Sequence, residues 1–251
     1  MVECKELCAF YGKSQVLDKI SFTMERGEFV VLVGKNAAGK TTLLRALLGA
    51  LKGTSGDVLL DGVSQKDLKR AQIAQRIAYL PQHTNASAFT VFDTVLMGRL
   101  PHLSYPRIYR EQDRKIAREC IEKLSLTPYM DTPLNNLSGG FRQRTALACA
   151  LACESDYLFL DEPTTFLDIE SSMELLRTLC NLAHDGKGVL AVLHDLPLAL
   201  RFADRILILD GAHLVASDTP DVLFSSGVLE DVFGVRIERT EADGETIYYI
   251  S

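Results

Sequence analysis

"FVVLVGKNAAGKTTLLRALLGAL", residues 29–51, carries the reading of the fold. Its first five residues are apolar and rich in valine, the pattern of a strand buried on both faces. Residues 43–51, "LLRALLGAL", place apolar side chains at helical spacing. Between them "GKNAAGKTT" meets the pattern G-x-x-x-x-G-K-[ST] with Gly34, Gly39, Lys40 and Thr41. Strand, glycine loop and helix in that order make a cradle for phosphate. The first turn of a helix exposes unpaired N–H groups at the positive end of its dipole. Phosphate oxygens fit against the backbone of Asn36, Ala37, Ala38, Gly39, Lys40, Thr41 and Thr42. Lys40 adds a point charge for the β and γ phosphates, and the Thr41 hydroxyl is a Mg²⁺ ligand. The expected ligand is a nucleoside triphosphate with Mg²⁺.

Three further short apolar runs follow. "YLFLDEP", from Tyr157, ends in Asp161 and Glu162, with Pro163 stopping strand pairing. Carboxylates at the C-terminal end of a strand lie where open α/β sheets bind ligands. Asp161 is placed to organise Mg²⁺ through water, and Glu162 to polarise an attacking water. "GVLAVLHD" closes with His194, a candidate sensor of the γ-phosphate. "AYLPQH" carries Gln82 just past a strand, where its amide reaches metal or water. Read alone, that histidine and that glutamine are ordinary loop residues.

Composition sets the bounds. The chain has 251 residues, 47% apolar and 24% charged, enough for one large domain or two small ones. Its net charge of −6 speaks against a dedicated nucleic-acid binder, and no nucleic-acid partner is expected. No apolar run reaches the length of a membrane span, and the start lacks the apolar stretch of a signal peptide. The six cysteines show no zinc spacing, and Cys149 and Cys153, on a helical stretch, read as core. The expected setting is reducing and without disulfides.

The order of elements predicts an N-terminal antiparallel hairpin over residues 1–28, another strand in "GDVLLDG", and helix over 66–76. Residues 90 to about 153 are mostly helical. Alternation of strand and helix resumes from 157, with strands around the turn in "RILILDGAHLVASDTP" and around Asp243–Gly244. The fold class is α/β, a P-loop NTPase with a RecA-like core over 1–88 and 156–251. It carries an N-terminal antiparallel β subdomain and an inserted helical subdomain over about 89–155.

"LSGGFRQR", residues 137–144, adds a second glycine loop at the head of a helix, with Ser138, Gly139 and Gly140 as its cap. With that stretch the chain resembles the ATP-binding subunit of an ABC transporter. The Walker A loop is "GKNAAGKT", the Q-loop centres on Gln82, "LSGGFRQ" is similar to the signature loop, and "YLFLDEP" to Walker B. "TTFLD", residues 164–168, stands at the D-loop, His194 at the switch histidine, and Tyr11 at the aromatic that stacks on adenine. The resemblance implies ATP and Mg²⁺ as cofactors, Lys40, Gln82, Glu162 and His194 as catalytic residues, and Thr41, Gln82 and Asp161 around the metal. It also implies a head-to-tail dimer in which Ser138, Gly139 and Gly140 of one copy face the γ-phosphate held by the other.

Three residues depart from the family pattern. Ala37 stands where glycine is common, Phe141 where the signature carries a polar residue, and Phe166 where the D-loop is small. Residues 94–117 include a "GR-x-PH" stretch that looks like subunits serving importers of iron-siderophore complexes, haem and vitamin B12. The resemblance therefore implies a polytopic membrane permease, a substrate-binding protein, and a place on the cytoplasmic face of the inner membrane. Phe89, Arg99, Pro101, His102 and Tyr105 are the expected permease contacts. The rival within the family is a non-transport cassette such as an iron-sulfur assembly ATPase. A kinase or GTPase lacks the signature loop, and no N-K-x-D stretch is present.

Overall fold

The computed structural model describes residues 1–82, 87–165, 167–242 and 245–251. Phe166 and the Asp243–Gly244 turn lie outside the described residues. The chain forms two compact units, Met1–Leu68 with Leu176–Ser251, and Lys69–Leu175.

The first unit opens with β1 (Val2–Tyr11) and β2 (Ser14–Met24), paired antiparallel from Val2↔Met24 to Tyr11↔Ser14. Next come β3 (Phe29–Gly34), α1 (Lys40–Leu47), β4 (Thr54–Leu60) and the short β5 (Val63–Ser64). β4 returns antiparallel to β1, and the N-terminal sheet has the order β2-β1-β4-β5. The residue alternation anticipated the hairpin, and "GDVLLDG" supplies most of β4.

The second unit begins with α2 (Arg70–Arg76) and β6 (Ile77–Leu80). The helix expected over 66–76 is shorter, because residues 65–67 form a separate 3₁₀ turn. Helices α3 (Val91–Leu96), α4 (Glu111–Lys123) and α5 (Gly139–Ala152) fill the inserted helical stretch. Thr90 starts α3 with a capping box: its hydroxyl accepts from the Asp93 N–H, and the Asp93 carboxylate accepts from the Thr90 N–H. β7 (Tyr157–Asp161) then pairs parallel with β6, from Ile77↔Tyr157 to Leu80↔Leu160. α6 (Ile169–His184) follows.

Back in the first unit are β8 (Gly188–Val192), α7 (Leu196–Phe202), β9 (Arg205–Asp210), β10 (His213–Asp218), α8 (Pro220–Ser226) and α9 (Val228–Phe233). β11 (Ile237–Ala242) and β12 (Glu245–Ile250) close the chain as an antiparallel hairpin. β3 lies between β8 and β9, parallel to both, and β10 pairs antiparallel with β9. Every residue of β3 and β8 is buried, which explains their unbroken apolar runs. The architecture is that of a P-loop NTPase core with an N-terminal antiparallel sheet and an inserted helical subdomain.

All six cysteines are free thiols. Burial pushes the Cys4 thiol up to about 12 and those of Cys120, Cys149 and Cys180 up to about 11. These four thiols remain protonated at neutral pH.

One buried arginine, in two ion pairs, anchors the helical stretch from inside. Arg99 is 6% exposed. Its Nε donates to Asp113 at 3.0 Å, and its Nη1 to the Ala152 carbonyl at 2.8 Å and to Glu154 at 2.7 Å. Burial alone raises the Asp113 pKa, but the Arg110 N–H and the Arg99 guanidinium outweigh it and hold the carboxyl below its usual range. A carboxylate depressed in the folded state stabilises fully above its unfolded pKa, and that gain disappears as pH falls through the folded value. Arg99→Ala strands the buried Asp113 charge. It should cost about 3 kcal/mol at pH 7, measured by urea unfolding, with the deficit shrinking in acid as Asp113 protonates.

Candidate functional site

The phosphate loop belongs to the first unit. β3 delivers Gly34 beside β9, in register with Leu209. A Cβ on Gly34 would stand 2.4 Å from the Leu209 carbonyl oxygen, so only glycine fits. The Ala38 N–H donates to the Lys35 carbonyl at 3.1 Å, turning the loop. Gly39 is the N-cap of α1 at φ 98, and a Cβ there would lie 2.8 Å from the Leu17 side chain. No side chain caps α1, and no acid stands in its first turn. Its first N–H groups are therefore open to an anion, with no side chain competing for them.

Lys40 is buried, and its Nζ reaches back over the loop to the carbonyls of Gly34 at 2.7 Å and Lys35 at 3.0 Å. The ammonium is thus held above the cradle by the backbone that forms it. Ala37 sits at φ 64, the left-handed region that glycine occupies more easily. His194 is exposed, two residues beyond β8, and Asp195 next to it caps α7 by accepting from the Leu198 N–H at 2.9 Å. Tyr11 ends β1 and is 46% exposed.

The acid pair belongs to the second unit. Asp161 ends β7, is buried, and its Oδ2 accepts from the Tyr79 hydroxyl at 3.3 Å. Glu162 follows at φ 52, and its Oε2 accepts from the Gln82 side-chain amide at 2.5 Å and from the Thr165 hydroxyl at 3.3 Å. The structure therefore brings Gln82, Asp161 and Glu162 together, with Tyr79 and Thr165 as supports that sequence reasoning missed. Alternation along β6 and the short Glu162–Thr165 spacing were the available signals. Among the described residues no cluster of three His, Cys, Asp or Glu side chains forms a metal cage. That fits Mg²⁺, which is usually held by one or two carboxylates together with phosphate oxygens and water.

The second glycine loop is also in this unit. Ser138 is the N-cap of α5, but its side chain makes no capping bond. The expected serine cap is thus positional only, and the hydroxyl is not spent on the helix. A Cβ on Gly140 would meet nothing closer than 3.9 Å, so this chain's own packing does not demand that glycine.

The ABC transporter family model matches residues 17–165. The chain belongs to the ABC transporter family. The hemin import ATP-binding protein HmuV of Deinococcus radiodurans is 41% identical, over 90% of this chain and 87% of its own length. The petrobactin import ATP-binding protein FpuD of Bacillus anthracis is 35% identical, over 92% of this chain and 86% of its own length. The solved dimeric structure of MJ0796, a bacterial ABC transporter cassette, matches at 30% identity with a TM-score of 0.74, over 88% of this chain and 99% of that one. This ABC protein is an ATP-binding and ATP-hydrolysing P-loop NTPase.

One expectation about the helical stretch changes. Arg99 is an interior anchor rather than a surface contact. His102 stays exposed, and its ring hydrogen-bonds the Cys153 carbonyl through Nε2 at 2.7 Å. Phe141 turns onto its own unit: its ring centroid lies 4.4 Å from that of Tyr129, with the Arg144 guanidinium 5.7 Å from its centre.

Gly34→Ala should cost more than about 2 kcal/mol through forced overpacking and abolish nucleotide binding. Ala37→Gly relieves a strained φ and should stay within about 1 kcal/mol of wild type, with binding retained. Thermal unfolding and titration with a fluorescent ATP analogue check both.

Proposed function

We propose that this chain is the ATPase subunit of an importer of iron chelates, either iron-siderophore complexes or haem. The observation that carries this reading is that the likeness to relatives named for hemin and petrobactin import spans about nine-tenths of the chain, at 41% and 35% identity. It runs well beyond the motifs that any ATPase of the family shares.

Roles follow from the half-sites. Lys40 and the α1 N–H groups hold the β and γ phosphates, with the backbone of Gly34, Asn36, Ala37, Ala38, Gly39, Thr41 and Thr42 forming the cradle. Tyr11 stacks on adenine. Thr41, Asp161 and Gln82 are the groups toward Mg²⁺, which when bound neutralises charge on the phosphates. Glu162 accepts a proton from water as that water attacks the γ-phosphorus. The bond to the bridging oxygen breaks, ADP leaves, and phosphate is released. His194 steadies the γ-phosphate through a hydrogen bond.

Ser138, Gly139 and Gly140 of a second copy complete each site in a head-to-tail dimer. The unspent Ser138 hydroxyl and the open space at Gly140 support this. A polytopic permease holds the pair at the cytoplasmic face of the membrane, and a substrate-binding protein supplies the cargo. Among the described residues no helix is long and apolar enough to cross a membrane. Exposed apolar side chains at Phe89 (54%), Tyr105 (96%) and Ile108 (67%) support a docking surface in the helical stretch.

Copurification from detergent-solubilised membranes of the native host tests the importer reading. The expected result is a polytopic membrane protein in two copies with two of this chain, and a soluble scaffold alone would overturn it. Tyr105→Asp should lose that partner while binding ATP normally. Glu162→Gln should bind ATP and run as a stable dimer on size exclusion with Mg–ATP. A monomer under those conditions counts against the scheme.

A further inference from the structure

We infer that Thr165 is a positioning residue for the Glu162 carboxylate, an inference that rests on the general-base role proposed above. Glu162 leaves β7 in the left-handed region, at φ 52. A side-chain-bearing residue adopts that conformation only where its surroundings hold it. Thr165 grips Glu162 at two points. Its N–H donates to the Glu162 carbonyl at 3.2 Å, closing a four-residue turn through Pro163 and Thr164. Its hydroxyl donates to Glu162 Oε2 at 3.3 Å. One residue thus ties both the backbone and the carboxylate of the acid.

The second donor to the same oxygen is the Gln82 amide, at 2.5 Å. Gln82 is also the residue proposed to face the metal, a role that falls to its amide oxygen, while its N–H₂ group donates to Glu162. Gln82 reaches Glu162 from 80 residues away in the chain, whereas Thr165 belongs to the same turn as the acid and keeps its place beside it. The hydroxyl therefore sets the direction of the carboxylate during attack by water. A general base displaced by 1 Å loses much of its rate advantage.

The turn does not depend on the hydroxyl for its shape. Pro163 is fixed from the other side, its carbonyl accepting from the side-chain amide of the buried Gln143 at 3.0 Å. Thr165→Val keeps the volume, the β-branching and the backbone N–H, and removes only the hydroxyl. Thr165→Ser keeps the hydroxyl.

The test uses the purified full chain, with steady-state Mg–ATP hydrolysis, fluorescent-nucleotide binding and thermal unfolding. Thr165→Val should lower kcat about five- to tenfold, the loss expected for one ordinary hydrogen bond. KM should stay within about twofold, since substrate binding does not use this bond. Thr165→Ser should restore the rate, and neither variant should shift the unfolding midpoint. Thr165→Val at the wild-type rate, or Thr165→Ser as slow as the valine variant, overturns the inference. Glu162→Gln, measured alongside, separates the two claims. If it abolishes hydrolysis while Thr165→Val changes nothing, the base assignment stands and the positioning role falls. If it hydrolyses ATP at the wild-type rate, the base assignment itself falls and takes Thr165 with it.

Discussion

A Cβ at Gly34 would stand 2.4 Å from the carbonyl oxygen of Leu209, and the whole phosphate cradle depends on that closeness. β3 stays paired with β9 to its own last residue, Gly34 opposite Leu209, so the loop springs from a point fixed by two buried strands. From there the chain has five residues to reach the first turn of α1. Gly39 makes the entry possible because its left-handed backbone and missing side chain fit against Leu17. Lys40 then folds back onto the carbonyls that began the loop. A rigid strand end, a crowded turn and an inward lysine form one unit of geometry. Its purpose is to aim N–H groups and one cation at the same place without any acid to oppose them.

The acid half follows a different logic. Asp161 and Glu162 are adjacent, yet separate donors hold them. Tyr79 bonds the first, and Gln82 and Thr165 bond the second. Tyr79 and Gln82 come from β6 and the residues just after it, so the pairing of β6 with β7 sets which donor meets which acid. Each carboxylate is thus oriented by its own donors. The positive φ at Glu162 redirects its side chain away from the course of the strand.

The helical stretch shows how a surface is built from beneath. Gly98 lies so close to the Cys149 carbonyl that a Cβ would stand 2.1 Å from it. Arg99, the next residue, turns inward to the Asp113 carboxylate. The "GR" pair thus locks the end of α3 onto α4 and α5, and leaves Tyr105 and Ile108 outside on a supported loop. Phe141, which departs from the family signature, is accommodated by stacking on Tyr129 within its own unit.

Much of this protein was legible in the chain itself. A buried strand must be apolar throughout, and a phosphate loop must carry glycines and lysine at set spacing. Acids after a strand and glycines before a helix declare anion and metal chemistry, because each depends on local backbone geometry. The family and the nature of the ATPase follow from those local rules read in order. What the chain alone left open depends on contacts between segments far apart in sequence. That Arg99 faces inward rests on Asp113 and on the Ala152 carbonyl at the end of α5, 14 and 53 residues away. Which acid Tyr79 and Gln82 reach rests on the pairing of β6 with β7. Local pattern sets what each segment can be, and only tertiary packing decides where a polar side chain finds its partner.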